Sequence, residues 1–299
     1  MIFARDKSQM CNNLLQYAHV YAWGRAHGRK VISMRFSYKY QFFHICHTPL
    51  TGFGWYLLAK YAAALKILPT ANFKSQDCDL AALERKMLSH RHIVVSGWNV
   101  RFYDHFLNYR DEICQLFQID SQYTEPVRSR MKAEEAGCEG VKLGVHIRRG
   151  DYAQWQYGKY CFDDDAYARH INRFAEMVNY KLSNCTLNHE DRSRDSLGKS
   201  DHEPVPVIHV YLSTNDPEVS VETFQRLCPK VRIHLLQGSA PSDLYMLSAC
   251  DYVMGPPSTF SLVAAMYRDL PLYRMDSPDE TLMTPEAFRK FDYWFRHII

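Results

Sequence analysis

Apolar positions recur along this chain in two rhythms, strand-like runs and helical spacings, and their alternation predicts the fold. "MIFAR" opens with a short apolar run and predicts a first strand. "NNLLQYAHVYAWGRAHGRK" follows, with Leu14, Tyr17, Ala18, Tyr21 and Ala22 at helical spacing and Gly28 as the stop. "KVISMRF" then reads as a strand, so strand, helix and strand occupy the first 36 residues and predict a parallel α/β unit. Between residues 37 and 90 the pattern is less decisive. "GWYLLAKYAAALKILP" is strongly helical up to Pro69 and predicts a buried core helix. A helix lying on a membrane surface is the alternative, although only Lys60 and Lys66 interrupt the apolar run. "RHIVVSGWNV" reads as a strand entering a loop, and "FYDHFLNYRDEICQLFQI" as a helix with its aromatics inward.

"SQYTEPVRSRMKAEEAGCE", residues 121–139, is polar and charged, and marks a boundary between two halves. Beyond it, "VKLGVHIR" is a strand and "DDDAYARHINRFAEMVNYKL" a helix with acidic residues at its start, where they suit the helix dipole. "SNCTLNHEDRSRDSLGKSDHEP" has almost no apolar content and predicts a loop; its "NCT" fits a glycosylation acceptor, which means nothing in a cytoplasmic protein. "VPVIHVYLST", "KVRIHLL", "DYVMG" and "LPLYRM" are further strands. Between them lie helices over "DPEVSVETFQRLC", "PSDLYMLSAC" with Ser242 as N-cap, and "FSLVAAMYR". "PEAFRKFDYWFRHII" predicts a C-terminal helix. Strand and helix thus alternate about four times, the pattern of a doubly wound sheet that binds ligands beyond the carboxyl ends of its strands.

Composition narrows the function. The chain has 299 residues, room for two domains, and a net charge of only +3. Such a balance does not call for nucleic acid, so an anion site has to be local. Nine cysteines stand singly, an odd count with no C-x-x-C pair, which points to a reducing compartment. The start lacks an apolar signal region, and no run of eighteen apolar residues exists to form a transmembrane segment. The expected compartment is the cytoplasm, with peripheral association at the inner membrane face left open.

Candidate chemistry gathers at three predicted strand ends. "GVHIRRGDY" places Arg148 and Arg149 at the rim of a strand, with Gly150 allowing the turn that brings both guanidinium groups to one site. Paired guanidinium forks suit a diphosphate; two surface arginines paired with acids are the plainer reading. His146, two residues earlier, projects to the same side as Arg148 and is either a core histidine or a nucleotide contact. "GPPSTFSLVAAM" puts Ser258 or Thr259 at a helix start after a strand, a phosphate cradle or an ordinary N-cap. "YLSTNDPE" ends another strand with Asn215 and Asp216, a rim pair or a helix cap. Together the three loops describe a site for a nucleoside diphosphate. "DDDAY" is not read as a metal motif. Trp23, Trp55 and Trp98 would suit sugar stacking, though core packing is the plainer role for each.

At these stretches the chain resembles the family 11 (α-1,2-type) fucosyltransferases, within the wider α-1,2/α-1,6/protein O-fucosyltransferase superfamily. "HIRRGDY" is similar to the motif H-x-R-R-x-D-Y, and "CNNLLQYA" to G-N-Q-L-F-Q-Y-A. "VVSGWNVRFYDHF" resembles the family's glycine–aromatic segment, and "STND" stands where the family has a Ser-Asp-Asp-like turn. "SDLYMLSACDYVMGPPSTFSLVAA" resembles the segment ending in N-S-T-F-S-W-W-A-A, so the matches run from residue 8 to about 275. The resemblance implies a GT-B fold, two Rossmann-like α/β domains facing across a cleft: residues 1–135 on the acceptor side and 136–299 binding the donor. It implies GDP-fucose as donor, a glycan acceptor that is an oligosaccharide or polysaccharide, free or lipid-linked, inversion at the sugar carbon, and no metal or other cofactor. By position it assigns donor binding to Asn12, His146, Arg148, Arg149, Asp216, Ser258, Thr259 and Phe260, with Arg149 and Asp151 as the catalytic candidates. Asp151 is the nearest carboxylate for a general base, or else an orienting partner of Arg149. The chain departs from the family at Cys11, Pro257, Leu262 and Val263, where glycine, asparagine and a tryptophan pair are usual. Another nucleotide sugar on the same fold, or a non-catalytic nucleotide- or glycan-binding relative, remain the alternatives.

Overall fold

The apolar runs near the start of the chain become four short parallel strands in one sheet. These are β1 (Ile2–Arg5), β2 (Val31–Ser33), β3 (Thr70–Asn72) and β4 (Ile93–Ser96), in the order β2-β1-β4-β3. Ile2 stands opposite both Val31 and Ile93, and all but the last residue of β1 is buried. This computed structural model describes residues 1–5, 8–187 and 207–297, and divides into two compact units, Met1–Tyr123 and Thr124–Ile299.

In the first unit, α1 (Met10–Ala26) is covered on most sides, and Tyr17, Ala18, Ala22 and Trp23 are fully buried. It ends as predicted, with Gly28 at a positive φ of 62° just beyond its last turn. "KVISMRF" yields only the three residues of β2, because Phe36 already belongs to the turn whose backbone N–H donates to Ser33 Oγ. The predicted helix over "GWYLLAKYAAALKILP" is α2 (Phe53–Ala64), but it is not a buried core helix: Ala59 is its one buried residue. Neither β3 nor the following α3 (Leu80–Ser89) is marked by the apolar pattern. The aromatic helix after β4 is two helices, α4 (Tyr103–Asn108) and α5 (Arg110–Leu116), separated at Tyr109.

The polar boundary segment is itself a helix, α6 (Ser121–Glu134). It crosses the division, which lies at 123/124 and not at the expected 135/136. Its buried stripe, Thr124, Val127 and Met131, is too sparse to stand out among charges, and Arg128 donates to Tyr245 Oη within the second unit.

The second unit is a five-stranded parallel sheet: β5 (Gly140–Ile147), β6 (Val207–Thr214), β7 (Arg232–Leu235), β8 (Tyr252–Gly255) and β9 (Leu272–Arg274), in the order β7-β6-β5-β8-β9. The connecting helices are α7 (Asp164–Leu187), α8 (Val221–Leu227), α9 (Ala240–Ser248) and α10 (Thr259–Arg268). The chain builds outward from β5 in one direction, then crosses to β8 on the other side, the doubly wound order. Leu143, Val145 and Ile147 on one face of β5 share a core with Tyr167, Ile171 and Phe174 of α7. Each such side chain contributes about 1.5–3 kcal/mol of burial. The alternate residues, including His146, face the α9–α10 side, where His146 meets Ser261.

Three further expectations differ from the structure. α7 continues to Leu187, into the segment expected to be loop; the rest of that segment lies outside the described residues. α9 is preceded by Ser239, not capped by Ser242, since Pro241 fits a first helical turn and carries the start upstream. The C-terminal helix is only α11 (Phe291–Arg296), because "PEA" forms a separate 3₁₀ turn.

Candidate functional site

The order of strands in the second unit reverses beside β5, so the crevice between the carboxyl ends of β5 and β8 is its switch point. Two of the three predicted loops flank it. The strand ends press close together there: a Cβ on Gly255 would stand 2.7 Å from the His146 carbonyl oxygen. Tyr152 Oη donates to the Pro257 carbonyl at 2.5 Å and so ties the loop after β5 to the loop after β8. Pro257, one of the departures from the family pattern, takes part through its backbone alone.

The α10 side of this crevice carries His146, Arg148, Asp151, Ser258, Thr259 and Phe260. Ser258 is the N-cap of α10 and accepts from the Phe260 N–H at 3.2 Å, the plainer of the two readings of this serine. His146 is fully enclosed, shares a 2.9 Å hydrogen bond with Ser261 Oγ and lies 5.0 Å from the Phe260 ring. Burial, reinforced by the charge of Arg148, pushes its pKa down to about 3, so the ring is neutral at pH 7. Leu262 and Val263, where the family has tryptophans, are buried in the body of α10.

The two arginines do not share one site. Arg148 pairs with Asp151 at 2.9 Å, lies beside the Tyr152 ring, and keeps 26% of its side chain exposed. Arg149 points to the opposite face, as consecutive strand residues do. There its Nε donates to the Phe162 carbonyl at 3.0 Å, one terminal nitrogen pairs with Asp216 at 2.9 Å and the other with Asp164 at 2.5 Å. Burial alone would lower the pKa of Arg149, but these two carboxylates raise it. Gly150 turns the chain after the pair at a φ of 64°, yet does not bring both guanidinium groups together.

Asp216 is committed to structure on both oxygens. One accepts from the Glu218 N–H at 3.0 Å and the other holds Arg149, and these bonds depress its pKa in that order. Asn215 adds a reciprocal pair, accepting from the Arg149 N–H at 2.9 Å and donating to its carbonyl at 3.1 Å. The "STND" loop therefore latches the end of β5. Asp151 is the partner of Arg148, not of Arg149. In "DDDAY", Asp163 caps the Ala166 N–H and Asp164 holds Arg149.

One carboxylate near the end of β5, on the side of β6, is not marked in the sequence. Ser213 is the register partner of His146 on β6, and its hydroxyl donates to Asp243 Oδ2 at 3.0 Å. Asp243, on α9, thus sits one strand away from His146 on the same face. Burial raises its pKa to about 6, against a smaller lowering by Ser213. In the sequence it reads as a first-turn helix acid; only the pairing of β5 with β6 reveals its place.

Asn12 lies in the first unit, near the start of α1, where its amide donates to Ser8 Oγ at 2.8 Å. Cys11 beside it is buried. Two amide oxygens of the same helix, Asn13 Oδ1 and Gln16 Oε1, are buried with no hydrogen-bond partner. Gln16 borders a small void of about 10 Å³ with Arg5, Ser96 and Gly97, at the carboxyl ends of β1 and β4. Trp23 is enclosed and donates to Glu84 at 2.6 Å, so it is unavailable for sugar stacking, and the Arg101 guanidinium covers Trp98 at 4.5 Å.

No protein-family model and no curated protein matches the chain. Solved structures do match it. It is similar to a mutant of Arabidopsis thaliana FUT1 in complex with GDP, at 14% identity and a TM-score of 0.58 over 97% of this chain and 73% of that one. It is similar to POFUT1 in complex with GDP-fucose, at 12% identity and a TM-score of 0.54 over 90% of this chain and 94% of that one. The fold is of the GT-B type. Its two parallel α/β units are the architecture the sequence pattern predicts. Among the described residues no helix is long and apolar enough to cross a membrane.

Proposed function

We propose that the chain transfers fucose from GDP-fucose to a hydroxyl of a glycan acceptor, with inversion at the sugar carbon and α-1,2 linkage. The observation that carries this reading is Arg148, held by Asp151 at the switch-point crevice that α10 enters with its N-terminus. A guanidinium and a helix N-terminus on one crevice suit a diphosphate. The fold is shared with proteins whose structures hold GDP or GDP-fucose. The motifs "HIRRGDY" and "PSTFS" fall on the two loops that flank the crevice.

In this reading Arg148 takes the charge that builds on the leaving diphosphate, and removing it lowers the rate by about 10²–10³, as for other preorganised donors. Asp151 keeps Arg148 in place, and a general-base role would compete with that ion pair. Arg149 does not touch the donor. It locks Asp216, Asp164 and the Phe162 carbonyl, and so fixes the strand end that aims Arg148. In this reading Asp243 reads the base: its partly buried carboxylate accepts two N–H donors side by side, which guanine offers on its N1 and N2 and adenine and uracil do not. The first unit is assigned to the acceptor.

Calorimetric titration with GDP, UDP and ADP, on wild type and Arg148→Ala, tests the reading. GDP alone binding, and binding weakening sharply in the variant, is the expected result, followed by turnover of GDP-fucose with an acceptor panel. Binding of UDP alone, or of none of the three, overturns it.

A further inference from the structure

Among the described residues, nothing covers the outer face of α2. Tyr56, Ala59 and Ala63 turn inward and pack with Phe3, Ile32, Met34 and Val94 on the sheet of the first unit. On the opposite side Leu58, Tyr61 and Leu65 recur at i, i+3 and i+7, and Phe53 and Ile67 are exposed near the two ends of the helix. These five side chains are between 55% and 71% exposed, and Trp55 is exposed beside them. A contiguous run of large apolar groups on a protein surface marks a binding face.

The charge around this face selects its partner. From Ser8 to Gln76 the sequence has eight Lys or Arg and no Asp or Glu, in a chain whose net charge is only +3. Lys60 is exposed on the same helix and Lys66 just past its end. Lys60 Nζ lies 5.6 Å from the Tyr56 ring and 5.7 Å from the Tyr61 ring. Tyr38 meets Tyr56 at 4.7 Å between centroids, tilted by 43°, and brings the exposed Lys39 into the neighbourhood. A protein partner of ordinary kind would meet a rim of mixed polar groups. Here the charged residues beside the apolar row are cations, with aromatic rings at its edge, which is the composition of a lipid-facing helix on an anionic bilayer. With twelve residues, α2 is about 18 Å long, too short to span a hydrocarbon core of about 30 Å.

We infer that the outward face of α2, with the turn through Ile67, docks on an anionic lipid surface. The apolar row enters the boundary between headgroups and acyl chains, and Lys60 and Lys66 sit at headgroup level. This inference stands independently of the donor reading, because it needs no nucleotide.

Flotation of the full chain with lipid vesicles tests it. Vesicles of phosphatidylcholine with about 30% phosphatidylglycerol are expected to carry the protein up, less so at high salt, and vesicles of pure phosphatidylcholine far less. Lys60→Gln and Lys66→Gln should each weaken partitioning about fivefold. Leu58→Glu with Leu65→Glu should weaken it by more than about tenfold. Since all four side chains are exposed, an unchanged thermal midpoint shows that the variants fold. Failure of the wild type to float with anionic vesicles overturns the inference, as does equal flotation of the double glutamate variant. A wild-type dimer that this variant splits into monomers would assign the face to a second copy, and would overturn it too.

Discussion

The two units share a plan and differ in what they place at the ends of their strands. Each is a parallel sheet whose order reverses beside its first strand, β1 or β5, so each has a switch point where a ligand can enter. In the second unit the neighbourhood of that point holds Arg148, Arg149, Asp151 and Asp216, tied into ion pairs of 2.5–2.9 Å, and the N-terminus of α10. In the first unit the corresponding rim holds Arg5, Ser96, Gly97 and the amide of Gln16. One end is built of fixed charges; the other is lined chiefly by apolar groups, Ala4, Val20, Val95 and Val100, with the Gln16 amide among them. Fold alone does not distinguish them; their side chains do. In the proposed function the diphosphate goes to the second end and the acceptor to the first unit.

The largest expected effect tests the charged end. Arg148→Ala should lower kcat/KM for GDP-fucose by about 10²–10³, and Arg148→Lys should recover only part of it, since a point charge lacks the guanidinium fork. Steady-state kinetics checks both. An effect of Arg148→Ala no larger than that of a first-unit variant would erase the distinction between the two rims.

Next in size is the pH response of base recognition. With its pKa raised to about 6 by burial, Asp243 is mostly ionised at pH 7 and mostly protonated at pH 5. Guanine N–H donors need the ionised form, so GDP affinity should fall with pH below 6, approaching about tenfold per unit. Asp243→Asn should bind GDP weakly and without that dependence. Folding runs the other way: a raised carboxyl adds most stability below its unfolded pKa and loses it as pH climbs through 6. Titrations at pH 5, 6 and 7 separate the two, because a binding constant that merely followed stability would improve on acidification.

The sequence shows the strands of the second unit well because their apolar runs are buried on both faces. The loop "HIRRGDY" is legible as a rim because Gly150 and the acids that follow end the run. What cannot be read is where consecutive side chains go. Arg148 and Arg149 look like one clamp in a string of letters, but the alternation of a strand sends them to opposite faces, and only the register of β5 with β6 shows that Asp216 waits for the second. Asp243 is hidden for the same reason, its partner Ser213 lying 30 positions away. α2 misleads in the opposite sense. Its composition is that of a core helix, and nothing local says that the chain leaves one side of it uncovered.

A moderate effect is expected from Arg149. If it positions and does not bind, Arg149→Ala strands two carboxylates at the end of β5 and costs about 2 kcal/mol, after allowance for partial exposure of Asp164. In a unit of this size that lowers the thermal midpoint by about 4–8 °C. Arg149→Lys should restore part of the midpoint. GDP affinity of the folded protein should fall less than in Arg148→Ala. Calorimetry and thermal unfolding on the same samples check this, and a variant with wild-type stability but no GDP binding would return Arg149 to the clamp.

The smallest effect probes the neutral end. Gln16 Oε1 is buried beside Arg5, Ser96 and Gly97 without a partner, an arrangement that normally costs about 1–3 kcal/mol. With the acceptor proposed for the first unit, a sugar hydroxyl is the donor this oxygen would take. Gln16→Leu keeps the volume and removes the orphaned oxygen, so it should leave the thermal midpoint unchanged or slightly raised. It should raise the acceptor KM a few-fold, by about 1 kcal/mol of lost hydrogen bond, while the Kd for GDP stays the same. A change in GDP affinity instead would mean that the first rim serves the donor as well, and the contrast between the two units would have to be redrawn.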